Sequence, residues 1–194
     1  METLIAEMER YAVEHDIPIM QKAGIEFFQE LIQKEGIQTI LELGTAIGYS
    51  AIQLARLSPD IHIVSIERDE VRYQKAVENV EKSGLASQIT LLLADALKCE
   101  VKGSFDCIFI DAAKAQYIKF FERYAPLLNH TGCIVSDNLK FHGYVEDSTL
   151  PMSRNLRQLV KKIRRYIDYL QQLEDFETVF YDLGDGVAVT KVKK

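Results

Sequence analysis

Residues 41–50 read "LELGTAIGYS", and this stretch decides the fold. Apolar residues run from "QTI" through Leu43, stop at a turn bracketed by Gly44 and Gly48, and give way to a helical pattern. Glycine there permits close backbone approach and strained dihedrals, and the N-terminus of the following helix offers free N–H groups to an anionic group. A nucleotide-like ligand is expected. The spacing is G-x-x-x-G, with Ala46 where the dinucleotide fingerprint needs its second glycine, so a pyrophosphate-binding dehydrogenase is disfavoured. Glu42, two residues before Gly44, is poised for an ammonium group or an ordered water, which suits a ligand carrying both amine and carboxylate. A plain turn of a parallel sheet is the alternative reading of the same residues.

Outward from this turn the pattern repeats. Strand-like "QTILEL", "IHIVSIE", "QITLLLA", "FDCIFID" and "GCIVSD" alternate with helix-like segments at 48–57, 70–83, 115–126 and 153–173. Near-continuous apolar strands imply burial on both faces, hence an α/β fold with a mostly parallel sheet and helices above and below. The end differs. "FETVFYDL" and "GVAVTKV" flank Gly184-Asp185-Gly186, predicting a hairpin that makes one edge antiparallel. Helices expected at 2–14 and 18–34 precede the first strand and pack on the sheet or on a second subunit. With no repeat, no low-complexity tract and only four prolines, residues 1–194 read as a single domain.

Composition narrows the function. A net charge of −6 opposes a protein that coats nucleic acid over its whole surface, while leaving room for a local basic patch. Cys99, Cys107 and Cys133 are odd in number and lack CxxC spacing, which suits reduced thiols and a cytoplasmic setting. The N-terminal stretch is acidic and amphipathic, without the basic and apolar regions of a leader. No apolar run approaches the ~18 residues of a membrane span, so a soluble protein is expected.

Acids stand at successive strand ends. Glu67 closes the second strand about 20 residues after the glycine turn, where a carboxylate meets ribose hydroxyls; a solvated helix N-terminus is its alternative. Asp95 in "LLADAL" either meets the ligand's polar groups or caps a helix. Asp111 ends "DCIFID", with Lys114 three residues on, and Asp137 and Asn138 end "GCIVSDN". All converge on the crevice where open α/β sheets bind ligands.

Glu42-x-Gly44-x-x-x-Gly48, Glu67, Asp111-x-x-Lys114 and Asp137-Asn138 together resemble the metal-dependent O-methyltransferases related to catechol and caffeoyl-coenzyme A O-methyltransferases. The likeness runs from about "IPIMQKAG" to "LGDGVAVTK". It implies a Rossmann-like class I methyltransferase with a seven-stranded sheet, using S-adenosylmethionine and Mg²⁺, or Mn²⁺ in its place. By this likeness Met20, Glu42, Gly44, Ser50, Glu67, Asp95 and Asp111 contact the cofactor, and Asp111, Asp137 and Asn138 hold the metal. Two carboxylates and an amide oxygen suit a hard cation, and the four histidines lack ligand spacing. Lys114 is the implied base that takes the hydroxyl proton before the oxygen attacks the sulfonium methyl.

Bidentate binding would require a hydroxyl beside a second oxygen, as in a catechol or a 5-hydroxyuracil. Leu156, Val160, Ile163, Ile167 and Leu170 form the expected core face of the helix at 153–170. Arg154, Arg157, Lys161 and Arg164 follow the same spacing on a neighbouring face, with Lys162 and Arg165 beside them. A solvated helix face is the ordinary explanation; phosphate contact is the functional one. "IPIMQKAGIEFFQ" and this basic helix resemble, within the family, the bacterial tRNA 5-hydroxyuridine methyltransferases. That likeness implies methylation of the wobble base of the tRNA anticodon, with Lys140, Phe141, His142 and Tyr144 at the rim. A small-molecule catechol or phenol methyltransferase is the alternative. The family likeness also implies a homodimer, with helices in residues 1–35 as an available interface or substrate rim.

Overall fold

In chain order the elements are α1 (Glu2–Glu14), α2 (Lys22–Glu35), β1 (Thr39–Leu43), α3 (Tyr49–Ala55), β2 (His62–Glu67), α4 (Glu70–Ser83), β3 (Ile89–Leu93), β4 (Phe105–Ile110), α5 (Tyr117–Tyr124), β5 (Leu128–Ser136), α6 (Arg154–Gln172), β6 (Phe176–Tyr181) and β7 (Val187–Val192). The structure, a computed structural model, describes residues 1–147 and 149–193; Ser148 of the expected rim and Lys194 lie outside the described residues. The strands form one sheet in the order β3-β2-β1-β4-β5-β7-β6. The five consecutive strands from β3 to β5 in that order are parallel, and β7 runs antiparallel to both β5 and β6. This is the Rossmann-like methyltransferase architecture expected, hairpin included.

Alternation along the strands divides the core into two layers. Ile40, Cys107, Phe109 and Val135 pack with residues of α1 to α4. Leu41, Leu43, Ile108, Ile110 and Ile134 pack with α5 and α6. Because consecutive side chains point to opposite faces, burial of both sets is what a parallel sheet covered on two sides requires. On α6, Val160, Ile163 and Leu170 are buried as the periodicity predicts, and Tyr166 joins them. Its hydroxyl exchanges a hydrogen bond with Ser136 at 2.7 Å, which makes a polar tip tolerable in the core. Cys99, Cys107 and Cys133 are all free thiols.

Three boundaries differ from the sequence reading. The second helix begins at Lys22 rather than 18, because Gln21 is extended (φ −64°, ψ 150°) and Pro18 precedes it. The helix expected at 115–126 divides into a 3₁₀ turn at Lys114–Gln116, α5, and another such turn at Ala125–Leu127 that contains Pro126. Pairing of β5 starts at Leu128, with a register shift opposite Phe105 and Cys107.

The lower end of the sheet is stapled by Asp106. One carboxylate oxygen accepts from Gln38 N at 3.0 Å, Thr39 N at 2.9 Å and Thr39 Oγ1 at 2.9 Å. The other accepts from Asn129 Nδ2 at 2.7 Å, joining the starts of β1, β4 and β5. Burial opposes its charge, but bonds from Asn129, Thr39 and Gln38 outweigh it and hold the carboxyl below its usual pKa.

Candidate active site

At the opposite end, a cavity of about 300 Å³ opens over β1, β2, β3 and β4, lined by Gly44, Glu67, Asp95, Asp111 and Lys114 among others. It lies where the strand order reverses, with β2 on one side of β1 and β4 on the other, the switch point at which α/β sheets bind ligands. Gly44 makes the approach possible. It has φ +103°, and a Cβ there would fall 2.4 Å from the Asp111 carbonyl oxygen. The fingerprint glycine therefore lets β1 and β4 close together at the cavity floor, a role beyond ligand approach.

Glu67 is 7 % exposed, so the solvated alternative fails. Its carboxylate accepts from Ala46 N at 2.8 Å and from Arg68 N and Asp69 N at 2.9 Å each, fixing it at the cavity wall. Asp69 is the helix cap, accepting from Arg72 N at 3.0 Å. Asp95 caps no helix: it accepts from Leu97 N at 2.9 Å in the turn after β3, and it lines the cavity. Glu42 is 1 % exposed and stands behind the turn, outside the cavity lining. The hydroxyls of Ser50 and Ser65 both donate to it, and Thr45 Oγ1 lies 2.5 Å from Ser65 Oγ. Burial pushes the Glu42 carboxyl up to about 7, with Ser50 and Ser65 opposing the rise and Glu67 adding to it. Met20 is likewise in the core, packed at Gly24; its neighbour Pro18 lines the cavity.

The acidic end of the site lies on β4 and β5. Asp111 N donates to Leu43 O at 3.0 Å and Asp137 N to Ile110 O at 3.2 Å, so the parallel ladder itself sets the two acids side by side. Lys114 Nζ is 3.9 Å from Asp111 Oδ1. Burial raises the Asp111 carboxyl well above its usual value, Asp137 adds to this, and Lys114 opposes it. Asp137, 2 % exposed, is pushed to about 6 by burial against the opposing Asn138 N–H and Lys114. Buried acids with one lysine between them are short of positive charge, the condition a bound cation relieves. Among the described residues no three acidic, histidine or cysteine side chains make a ready metal cluster. The hard donors remain two carboxylates and the Asn138 amide.

The rim is more committed than its sequence implied. Lys140 Nζ pairs with Glu146 at 3.0 Å and with Asp182. Arg164 donates to Val145 O from Nε at 2.9 Å and Nη2 at 2.8 Å, so it holds the segment after β5 in place. Arg154, Arg157 and Lys161 are exposed and have no ion-pair partner among the described residues. Lys162 and Arg165 border a second cavity with Lys114 and Lys119. Phe141 lies under Lys114, ring centroid 5.8 Å from Nζ, and the His142 side chain is 68 % exposed.

Two participants went unread in the sequence. Tyr117 is buried and donates to Asp137 O at 3.1 Å, from a position that looks like an ordinary helix start. Asp185, between the hairpin glycines, is 5 % exposed and turned toward the metal-ligand candidates. An acid at a tight turn gave no hint of burial; its double glycine flank was the available signal.

Comparison with known proteins agrees with this geometry. The family model for O-methyltransferases matches residues 1–193. A catechol O-methyltransferase from Niastella koreensis is 36 % identical over 141 residues, spanning 68 % of this chain and 64 % of that enzyme, somewhat under two thirds of its length. A Staphylococcus aureus crystal structure, provisionally assigned as a caffeoyl-CoA O-methyltransferase, superposes with TM-score 0.93 at 38 % identity, covering 97 % of this chain and 92 % of that one. An O-methyltransferase from Bacillus cereus, solved with SAH, gives TM-score 0.82 at 28 % identity over 98 % and 91 % of the two chains. No helix of the described residues is long and apolar enough to cross a membrane.

Proposed function

The chain belongs to the O-methyltransferase family, and on that premise we propose that it transfers the methyl group of S-adenosylmethionine to one hydroxyl of an aromatic ring bearing a second oxygen beside it. The observation that carries this reading is the meeting of Asp111 and Lys114 with Asp137 at the edge of the cavity floored by Gly44. The SAH complex of the Bacillus cereus relative supports the cofactor. Gly44, Glu67 and Asp95 would bound it directly. Glu42 and Ser50 would support the turn from behind.

Asp111, Asp137 and Asn138 fit a hard divalent cation, Mg²⁺ or Mn²⁺, by donor chemistry and by the charge deficit around the buried acids. When bound, it supplies Lewis acidity that lowers the free energy of an ionised hydroxyl. Lys114 Nζ takes the hydroxyl proton, and the Phe141 ring below it limits the space in which the amine moves. The cavity walls orient the ring oxygen toward the methyl group, and such positioning contributes much of the rate.

For the substrate we favour a small catechol or related phenol. The activities named for the relatives draw the reading this way and away from the tRNA expected from the sequence. A second reading, 5-hydroxyuridine at the tRNA wobble position, is supported by the exposed cations Arg154, Arg157 and Lys161, which have no ion-pair partner among the described residues and suit flanking phosphates. The deciding experiment is methyl transfer from labelled S-adenosylmethionine, with Mg²⁺ or chelator, to a catechol and separately to tRNA containing 5-hydroxyuridine. Mg²⁺-dependent label in the catechol alone is expected. Label confined to the tRNA would replace the small-molecule reading with the second; label in neither would overturn both.

A further inference from the structure

The turn between β6 and β7 does more than reverse the chain. Its backbone is stitched to the segment leaving β5: Leu139 N donates to Gly186 O at 3.0 Å and Lys140 N to Asp185 O at 2.8 Å. Gly186 (φ +86°) allows this approach, since a Cβ there would lie 2.7 Å from Lys140 Cγ and 2.9 Å from Lys140 N. The stitched segment is strained. Asn138, Phe141 and His142 all have positive φ, at 59°, 46° and 57°, values that non-glycine residues adopt only when their surroundings hold them there.

Asp185 supplies that hold with its side chain. Oδ1 accepts from His142 N at 2.5 Å, and Oδ2 faces Asn138 Nδ2 at 3.5 Å and His142 Nδ1 at 3.8 Å. With Asp185 Oδ2 on the Nδ2 side of the Asn138 amide, the amide oxygen Oδ1 is turned the other way. No donor among the described residues occupies that oxygen. With both of its own oxygens engaged by Asn138 and His142, Asp185 is suited to orienting a ligand rather than being one.

We propose that Asp185 is a positioning residue for the metal site: it fixes the Asn138 amide with its oxygen presented beside Asp137, and it holds the left-handed Phe141–His142 backbone that sets the Phe141 ring under Lys114. The proposal rests on the metal reading given under the proposed function. It extends the site to an element 47 residues distant in sequence from Asn138. Outer partners of this kind orient ligands and tune their affinity for metal.

The test is direct Mn²⁺ binding, by electron paramagnetic resonance, to the SAH-loaded wild-type protein and to Asp185→Asn and Asp185→Ala. SAH affinity, measured on each protein, reports that the fold and cofactor site are intact. Wild type is expected to bind Mn²⁺, and both variants to bind it about 10- to 100-fold more weakly with SAH affinity within about twofold, a difference too small to reflect loss of the cofactor site. Asp185→Asn keeps the shape and guards against a packing defect in Asp185→Ala. Wild-type Mn²⁺ affinity in both variants would overturn the positioning role and leave the metal reading standing. Equal loss of Mn²⁺ and SAH affinity would make Asp185 a general structural residue and overturn it too. Absence of Mn²⁺ binding by wild type would remove the metal reading, and the proposal with it.

Discussion

Lys114 Nζ stands 3.9 Å from Asp111 Oδ1, both side chains four-fifths or more buried, and the lysine opens a 3₁₀ turn that begins four residues beyond the end of β4. The turn is what brings the amine back over the strand end. A regular helix starting at 115 would carry Lys114 ahead of its first turn, with no such return.

Replacing this amine should separate chemistry from binding. Lys114→Met is expected to lower kcat by about 10²- to 10⁴-fold, the range for loss of a general base, with SAH affinity little changed. Calorimetric SAH binding beside initial rates on a catechol makes the comparison. A kcat within about threefold of wild type would be too small a loss for a general base and would remove Lys114 from that role.

Gly44 allows β1 and β4 to meet at the cavity floor, and no other residue does so without displacing the Asp111 carbonyl. Gly44→Ala should destabilise the fold by about 2 kcal/mol or more, from positive-φ strain and the enforced backbone shift. Urea unfolding of the cofactor-free protein measures it. A stability equal to wild type would mean that the two strand ends separate at little cost.

Glu42 predicts a pH dependence of stability. Its carboxyl ionises near 4.5 when unfolded and near 7 when folded, because burial penalises the charge. Between those values the folded chain keeps a proton that the unfolded chain has lost, so stability falls as pH rises through this window and levels off above it. The full effect is about 3 kcal/mol. Glu42→Gln should flatten the slope and gain on wild type progressively from pH 5 to 7.5, in urea titrations of cofactor-free protein. A wild-type stability that rose over that range relative to the variant would contradict the assignment.

The basic face of α6 offers a test in salt. Neutralising Arg154, Arg157 and Lys161 to Gln should leave catechol turnover within about twofold, because exposed surface substitutions seldom disturb a fold. If tRNA is methylated, the same change should reduce the slope of log affinity against log salt by about 2 to 3, one unit or slightly less per lost phosphate contact. An unchanged slope would assign these cations to solvation. Arg164→Gln belongs to a different class: losing its bonds to Val145 should raise KM by loosening the rim.

Alternation of strands and helices, burial of both sheet faces and the closing hairpin were all legible from apolar runs and turn glycines, because period and punctuation are local signals. So were the acids at strand ends, where a polar residue interrupts an apolar run. What could not be read was direction and partnership. Glu42 belongs to a buried hydroxyl network because Ser65 lies on the next strand, a register fact. Arg164 shares its spacing with exposed cations yet turns to the Val145 carbonyl, which a helical wheel does not contain. Asp185 reaches Asn138 only because β7 pairs with β5.

Strand β4 carries an aspartate as its second residue, and another stands just past its last; the two are used in opposite ways. Asp106 is saturated with donors and ties three strand starts together; Asp111 is starved of them. The sheet is thus clamped like a fan at its handle, while its opposite end holds carboxylates that repel each other. On β4, therefore, the carboxylate that secures the sheet and the carboxylate that faces the chemistry stand at opposite ends of one strand.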